Sequence, residues 1–174
     1  PSGAEGANVS KQLLSSLLNA PETARIRRVA VIGGTSTPKL VSAGFEVESL
    51  HPNQLPNACD SPFYCVVLDA AGLETGPWRG LLSATHTSLF QEAFTFLSDA
   101  KKAGSLVILV DEGIPDHFTS ELEGIANIRV RGTEAGEPEV SIVGGSASAQ
   151  AAIQSDLSLP IIDAIWEARK EALQ

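Results

Sequence analysis

The stretch LFQEAFTFLSDAKKAGSLVILVDEG, residues 89–113, decides the fold. Leu89, Ala93, Leu97 and Ala100, beside Phe90 and Phe94, recur at helical spacing and predict one apolar helix face from about Thr85 to Ala103. Lys101 and Lys102 suit the negative end of the helix dipole, and Gly104 suits its termination. Leu106 to Val110 is then apolar at every position before Asp111-Glu112-Gly113. A strand with no alternation is buried on both faces, as in a parallel sheet covered by helices on each side. A helix feeding such a strand is one crossover of an α/β sandwich.

The same grammar extends upstream. Phe63 to Leu68 is a second apolar run, closed by Asp69, and Val29 to Ile32 is a third, closed by Gly33-Gly34. Between them, Pro38 opens a short helix over Lys39 to Ala43, Gly44 ends it, and Phe45 to Leu50 alternates with period two. His51 to Pro62 contains three prolines, two asparagines and Asp60, the composition of a loop. Near the start, Leu13, Leu14, Leu17 and Leu18 follow Ser10 at the spacing of a short amphipathic helix, and residues 1–8 read as a tail.

Downstream, Thr119 to Gly124 is a short helix candidate, and Ile128 and Val130 alternate with Arg129 and Arg131 in the manner of an edge strand. Val140 to Val143 reads as a further strand, ending at Gly144-Gly145. Ile161, Ile165, Ala168 and Ala172, beside Ile162 and Trp166, define a final helix with Pro160 in its first turn. The expected fold class is therefore α/β, a three-layer sandwich with a mainly parallel sheet, Rossmann-like or flavodoxin-like, spanning residues 1–174 as a single domain. Val29–Ile32, Phe63–Leu68 and Leu106–Val110 are expected as its adjacent central strands.

Charge narrows the function classes. Twelve Lys and Arg stand against 21 Asp and Glu, for a formal net charge of −9, which opposes sequence-independent attraction to nucleic-acid phosphates and anionic lipid. No apolar run approaches the roughly 20 residues needed to cross a bilayer, so no membrane insertion is expected. Cys59 and Cys65 are expected as reduced thiols, because Cys65 lies in a buried strand that a bridge to Cys59 would bend. That favours a cytoplasmic location. The chain starts at Pro1 and contains no Met, consistent with a segment excised from a longer protein.

In a doubly wound sheet, ligands bind beyond the carboxyl ends of the strands. Those ends are Gly33-Gly34-Thr35, Asp69 and Asp111-Glu112, which are the ligand-binding candidates. The turn Gly33 to Pro38 has flexible backbone and hydroxyls before a helix start, as an anion site requires, but lacks both the G-x-G-x-x-G spacing and the Lys of a nucleotide loop. Asp69 stands where a flavodoxin-like receiver domain carries its phosphorylated Asp, without the acidic pair after the first strand that such a domain needs. As adjacent residues Asp111 and Glu112 point apart on an extended chain. Asp116 and His117 add no complete set, and His51, His86 and His117 are dispersed, so neither a metal site nor a cofactor is expected. Trp78 and Trp166 are expected to pack rather than to anchor a partner.

The order of Val29 to Leu50, Val66-Val67-Leu68-Asp69 and Ala100 to Glu112 resembles the N-terminal Rossmann-like domain of bacterial two-domain glycosyltransferases. The likeness covers about half the chain: a Gly turn after the first strand, a short helix to Gly44, and a helix ending in Ala-Gly before an apolar strand and an acid. It implies an acceptor-side domain, with the acceptor near Gly33-Gly34-Thr35 and the sugar nucleotide held mostly by a second domain, so that this chain is inactive alone. The alternative reading is a non-catalytic flavodoxin-like or receiver-like module that binds another protein through an edge strand or helix face. A third is a self-contained nucleotide-binding enzyme. Partners are accordingly a further domain of the same protein or another protein.

Overall fold

The computed structural model describes residues 28–33, 36–58, 60, 62–73, 76–81, 83, 85, 87–111, 119–132, 138–143 and 158–172. Strand β1 (Arg28–Ile32) leads through helix α1 (Thr37–Ser42) to β2 (Glu46–Ser49). Strand β3 (Cys65–Asp69) continues into a 3₁₀ turn, Ala70–Leu73, and then helix α2 (Thr87–Lys102) and β4 (Leu106–Asp111). Helix α3 (Thr119–Ile125), β5 (Ile128–Gly132), β6 (Pro138–Ile142) and helix α4 (Ser158–Ala172) follow. The sheet order is β2-β1-β3-β4-β5-β6, with every pairing parallel except β5 to β6. Strands β1, β3 and β4 are adjacent and central, as their unbroken apolar runs predict.

Alternation along those strands divides the core in two. Ala30, Ile32, Val66, Leu68, Val107 and Leu109 face α2 and α3, where they meet Phe96, Leu97, Ala100 and Leu122. Val29, Val31, Cys65, Val67, Ile108 and Val110 face the other way, toward Leu40 of α1 and Ile161, Ile165 and Trp166 of α4. This is the three-layer sandwich. A sheet buried on both faces tolerates no polar side chain without a partner, and the central runs carry none before Asp69.

The helix ends follow local chemistry. Lys101 and Lys102 occupy the last turn of α2; Gly104, at φ 95°, turns the chain out of the helix with the left-handed backbone that a side chain would resist. Ser105 then donates its hydroxyl to the Phe63 carbonyl at 2.6 Å, and the Asn127 side chain accepts the Val107 N–H at 2.9 Å while its own N–H bonds back to the Val107 carbonyl at 2.8 Å. These buried bonds stitch the amino edge of β3, β4 and β5, where the ladder alone leaves backbone groups unmatched.

Two expectations change. The strand Ile128–Gly132 is not an edge: it is paired on one side to β4 and on the other to β6. Its alternation arises because Ile128 and Val130 pack against α4, whereas Arg129 and Arg131 lie on the face that the seven-residue α3 only partly covers, ion-paired with Glu123. The edges are β2, rich in glutamate, and β6, which starts at a proline; both features discourage further pairing. The start of the second strand also moves by one residue, with Phe45 buried just before β2. The amphipathic segment around Leu13 to Leu18, and the stretch from Gly144 to Ala152, lie outside the described residues.

Cys65 is a free thiol, fully buried on the α1 and α4 side of β3, whereas Cys59 lies outside the described residues. Burial in an apolar layer pushes the Cys65 thiol well above its ordinary range, because the thiolate would lose its hydration. Two results are expected. Alkylation of Cys65 by iodoacetamide at pH 8, followed by peptide mass spectrometry, is negligible in the native protein and rapid in denaturant. The unfolded chain also releases this proton above about pH 8.5 while the folded chain keeps it, so stability falls as pH rises past that point. Native-state labelling as fast as that of the unfolded chain contradicts this placement.

Candidate functional site

Register places the predicted strand ends side by side. Ile32 is opposite Leu68, Leu68 opposite Leu109, and Asp69 opposite Val110, so the carboxyl ends of β1, β3 and β4 form one continuous rim. The order β2-β1-β3 reverses at β1, which puts the topological switch point of the sheet between β1 and β3. Gly33 leaves β1 at φ 95°, a left-handed conformation that explains why glycine stands there. Gly34, Thr35 and Glu112 lie outside the described residues. Asp111 is the last residue of β4, in register with Arg131 of β5.

Asp69, the one charged candidate at the switch point whose side chain is described, is only 3% exposed. Alternation puts it on the same side of β3 as Cys65 and Val67, the α1 and α4 face. A carboxylate buried to this degree is a poor phosphoacceptor, because the entering phosphoryl group must reach it from solvent. Ser36, the residue preceding α1, is completely buried; its hydroxyl has no hydrogen-bond partner among the described residues and makes no capping bond to α1. Beside it the Thr37 and Ser49 hydroxyls lie 3.3 Å apart, tying the start of α1 to the end of β2.

The other half of the rim is closed by apolar side chains. Trp78 is 2% exposed and its indole N–H donates to the Leu50 carbonyl at 2.7 Å. It packs with Ile32, Leu68, Leu73 and Leu81 in the core on the α2 side. Leu50 in turn donates its own N–H to the Val31 carbonyl at 2.9 Å. The segment after β3 is thereby fastened across the end of β1 to the segment after β2. Sequence reasoning expects Trp78 to pack; the bond to Leu50 was not legible, since it joins positions 28 residues apart. Trp166 also packs, 7% exposed, with the Arg169 guanidinium 5.6 Å from its ring centre.

Two open clefts flank α2. One, of about 550 Å³, is polar: Glu92 and Asp99 face it, and the Asn53 N–H, at a residue with φ 63°, bonds to the Glu92 carboxylate. The other, of similar volume, lies between α2 and α3 and is mainly apolar. Among the described residues no cluster of His, Cys, Asp and Glu could hold a metal ion, and no helix is long and apolar enough to cross a membrane. No protein-family model, no curated protein and no solved structure matches the chain.

Proposed function

We propose that this chain is a non-catalytic flavodoxin-like module that acts by docking to another protein or to a further domain of its own protein. One observation carries the reading: at the switch point between β1 and β3, where this topology would bind a small ligand, the described side chains pack on one another. Asp69 and Ser36 are buried, and Trp78 is bonded to Leu50. A ligand pocket is concave and presents polar groups to its occupant; among the described residues Asp69 and Ser36 are instead buried.

Strand order bears on the glycosyltransferase resemblance. A Rossmann sheet runs 3-2-1-4-5-6, while the flavodoxin-like sheet runs 2-1-3-4-5. The parallel part of this sheet follows the second order, which supports the module over an acceptor-side domain. A working receiver is disfavoured in turn by the enclosure of Asp69.

Calorimetric titration of the purified chain with flavin mononucleotide, NAD, ATP and a panel of nucleotide sugars tests the proposal. No saturable heat is expected at ligand concentrations up to about 1 mM, a free energy near 4 kcal/mol. Micromolar binding of a flavin, NAD or ATP would restore the self-contained enzyme, and micromolar binding of a nucleotide sugar would restore the glycosyltransferase reading.

A further inference from the structure

The β6 edge of the sheet has a defined hydrogen-bonding parity. Val143, just past the strand, donates its N–H to the Asn127 carbonyl at 3.0 Å, and the β5–β6 register runs unbroken from Ile128↔Ile142 to Gly132↔Pro138. Backbone groups along an antiparallel strand point alternately to one neighbour and to the other. Glu139 and Ser141 therefore bond inward to β5, whereas Val140 and Ile142 aim their N–H and C=O groups outward, together with the Pro138 carbonyl. The parallel side of β5 gives the same parity. Val107 aims its N–H at Asn127, so Leu109 bonds to Ile128 and Val130 and leaves Arg129 and Arg131 to bond β6. The outward residues also carry the apolar face of the strand: Val140 is 39% exposed and Ile142 packs partly against the α4 layer. We infer that β6 pairs antiparallel with β6 of a second copy of this chain, about a twofold axis at Val140, joining the two sheets into one.

Backbone complementarity selects the register. With Val140 opposite its own copy, each Val140 N–H meets the other Val140 carbonyl, and each Ile142 N–H meets the Pro138 carbonyl of the second copy. Every outward donor of the strand is then matched. The proline that blunts this edge has no N–H, so it removes one bond from each copy and leaves the others in place. Val140 packs on Val140 and Pro138 on Ile142 on the α4 side, and on the other face the order across the joint is Arg131, Glu139, Ser141, Arg129. Charge selects the occupant. Two copies of a chain with a net charge of −9 repel in general, but at this edge Arg129 and Arg131 stand against Glu123 and Glu139, two positive groups against two negative. Slipping the register by two residues sets Glu139 against Glu139 in one direction and against Val143 in the other. The β2 edge carries Glu46 and Glu48 on one face, so pairing there brings like charges together. A twofold joint at β6 is isologous and closes on itself, leaving only the two glutamate-bearing β2 edges open. It stands whether or not the carboxyl rim takes a ligand.

Sedimentation velocity combined with amide hydrogen exchange on the full chain tests the inference. A joint this small is a weak one, so dimer should be half-formed on the order of 100 µM and dominate at about 1 mM. Between about 10 µM and 1 mM the Val140 and Ile142 amides should slow about fourfold as free protomer is depleted, while the Glu139 and Ser141 amides, bonded to β5, should not change. Val140→Lys sets two ammonium groups opposite each other and should weaken association at least about tenfold. Val140→Pro removes an outward donor without touching the β5 ladder and should do the same; if that variant fails to fold, Val140→Lys and the exchange pattern of the unaltered chain still decide. A monomer throughout the range overturns the inference. So does a dimer that persists in Val140→Lys, or one whose Val140 and Ile142 amides exchange no more slowly than those of the monomer. Equal protection of these amides at both concentrations also overturns it, since the edge would then be covered within one chain.

Discussion

Trp78→Ala should lower the stability of the domain by about 3–5 kcal/mol, read as a shift in the urea midpoint with the slope unchanged. The side chain is 2% exposed, belongs to the same core cluster as Ile32, Leu68 and Leu81, and ties the segment after β3 to the Leu50 carbonyl. Removing it opens a cavity at a place where loops on both sides are fixed by hydrogen bonds and cannot collapse freely. Trp78→Phe separates the two contributions. It keeps most of the apolar volume but leaves the buried Leu50 carbonyl without the indole donor, a cost of about 1–3 kcal/mol. A change below about 1 kcal/mol for Trp78→Ala would mean that the rim is open in solution, and the argument against a ligand site there would fail with it.

The second large effect is expected on the opposite face. Ile165 of α4 is completely buried against the sheet, in the same layer as Val31, Val67 and Val130. Ile165→Ala should destabilise the protein by about 2–5 kcal/mol. Glu167 on the exposed side of the same helix serves as the comparison. Its pairing with Lys170 is a solvent-exposed contact at 3.4 Å, and Glu167→Ala should stay within about 0.5 kcal/mol of the parent. Equal, small effects of the two substitutions in chemical denaturation would show that α4 is not a structural layer of the domain.

The sequence makes the central sheet legible because burial on both faces leaves a signal that needs no knowledge of partners: Val29 to Ile32, Phe63 to Leu68 and Leu106 to Val110 are apolar at nearly every position. The long helix before β4 is equally plain from its periodicity and its Lys-Lys-Ala-Gly ending. The position of β5 was not. Arg129 and Arg131 look like an edge from their own spacing, and only the pairing with Pro138–Ile142 and the ion pairs to Glu123 of α3 reveal an internal strand. For the candidate site, the strand ends were legible and their adjacency follows from the strand order. The enclosure of Asp69 and Ser36 was not, because burial at a rim is decided by loops and helices packed over it from positions distant in sequence.

The division of the core into two faces has a consequence for how the chain folds as it is made. Among the described residues, the face covered by α2 and α3 is assembled from positions between Ala30 and Ala126. The other face depends on α4, which meets α1 and reaches back to it through the Glu171 carboxylate beside the Lys39 ammonium. During synthesis one layer can therefore close while the other still waits for its cover, presenting Val29, Val31, Val67, Ile128 and Val130 to water. Such a half-clad sheet is sticky. The interval between emergence of β5 and arrival of α4 is the vulnerable period in the life of this nascent chain, and a binding chaperone would find its apolar target there.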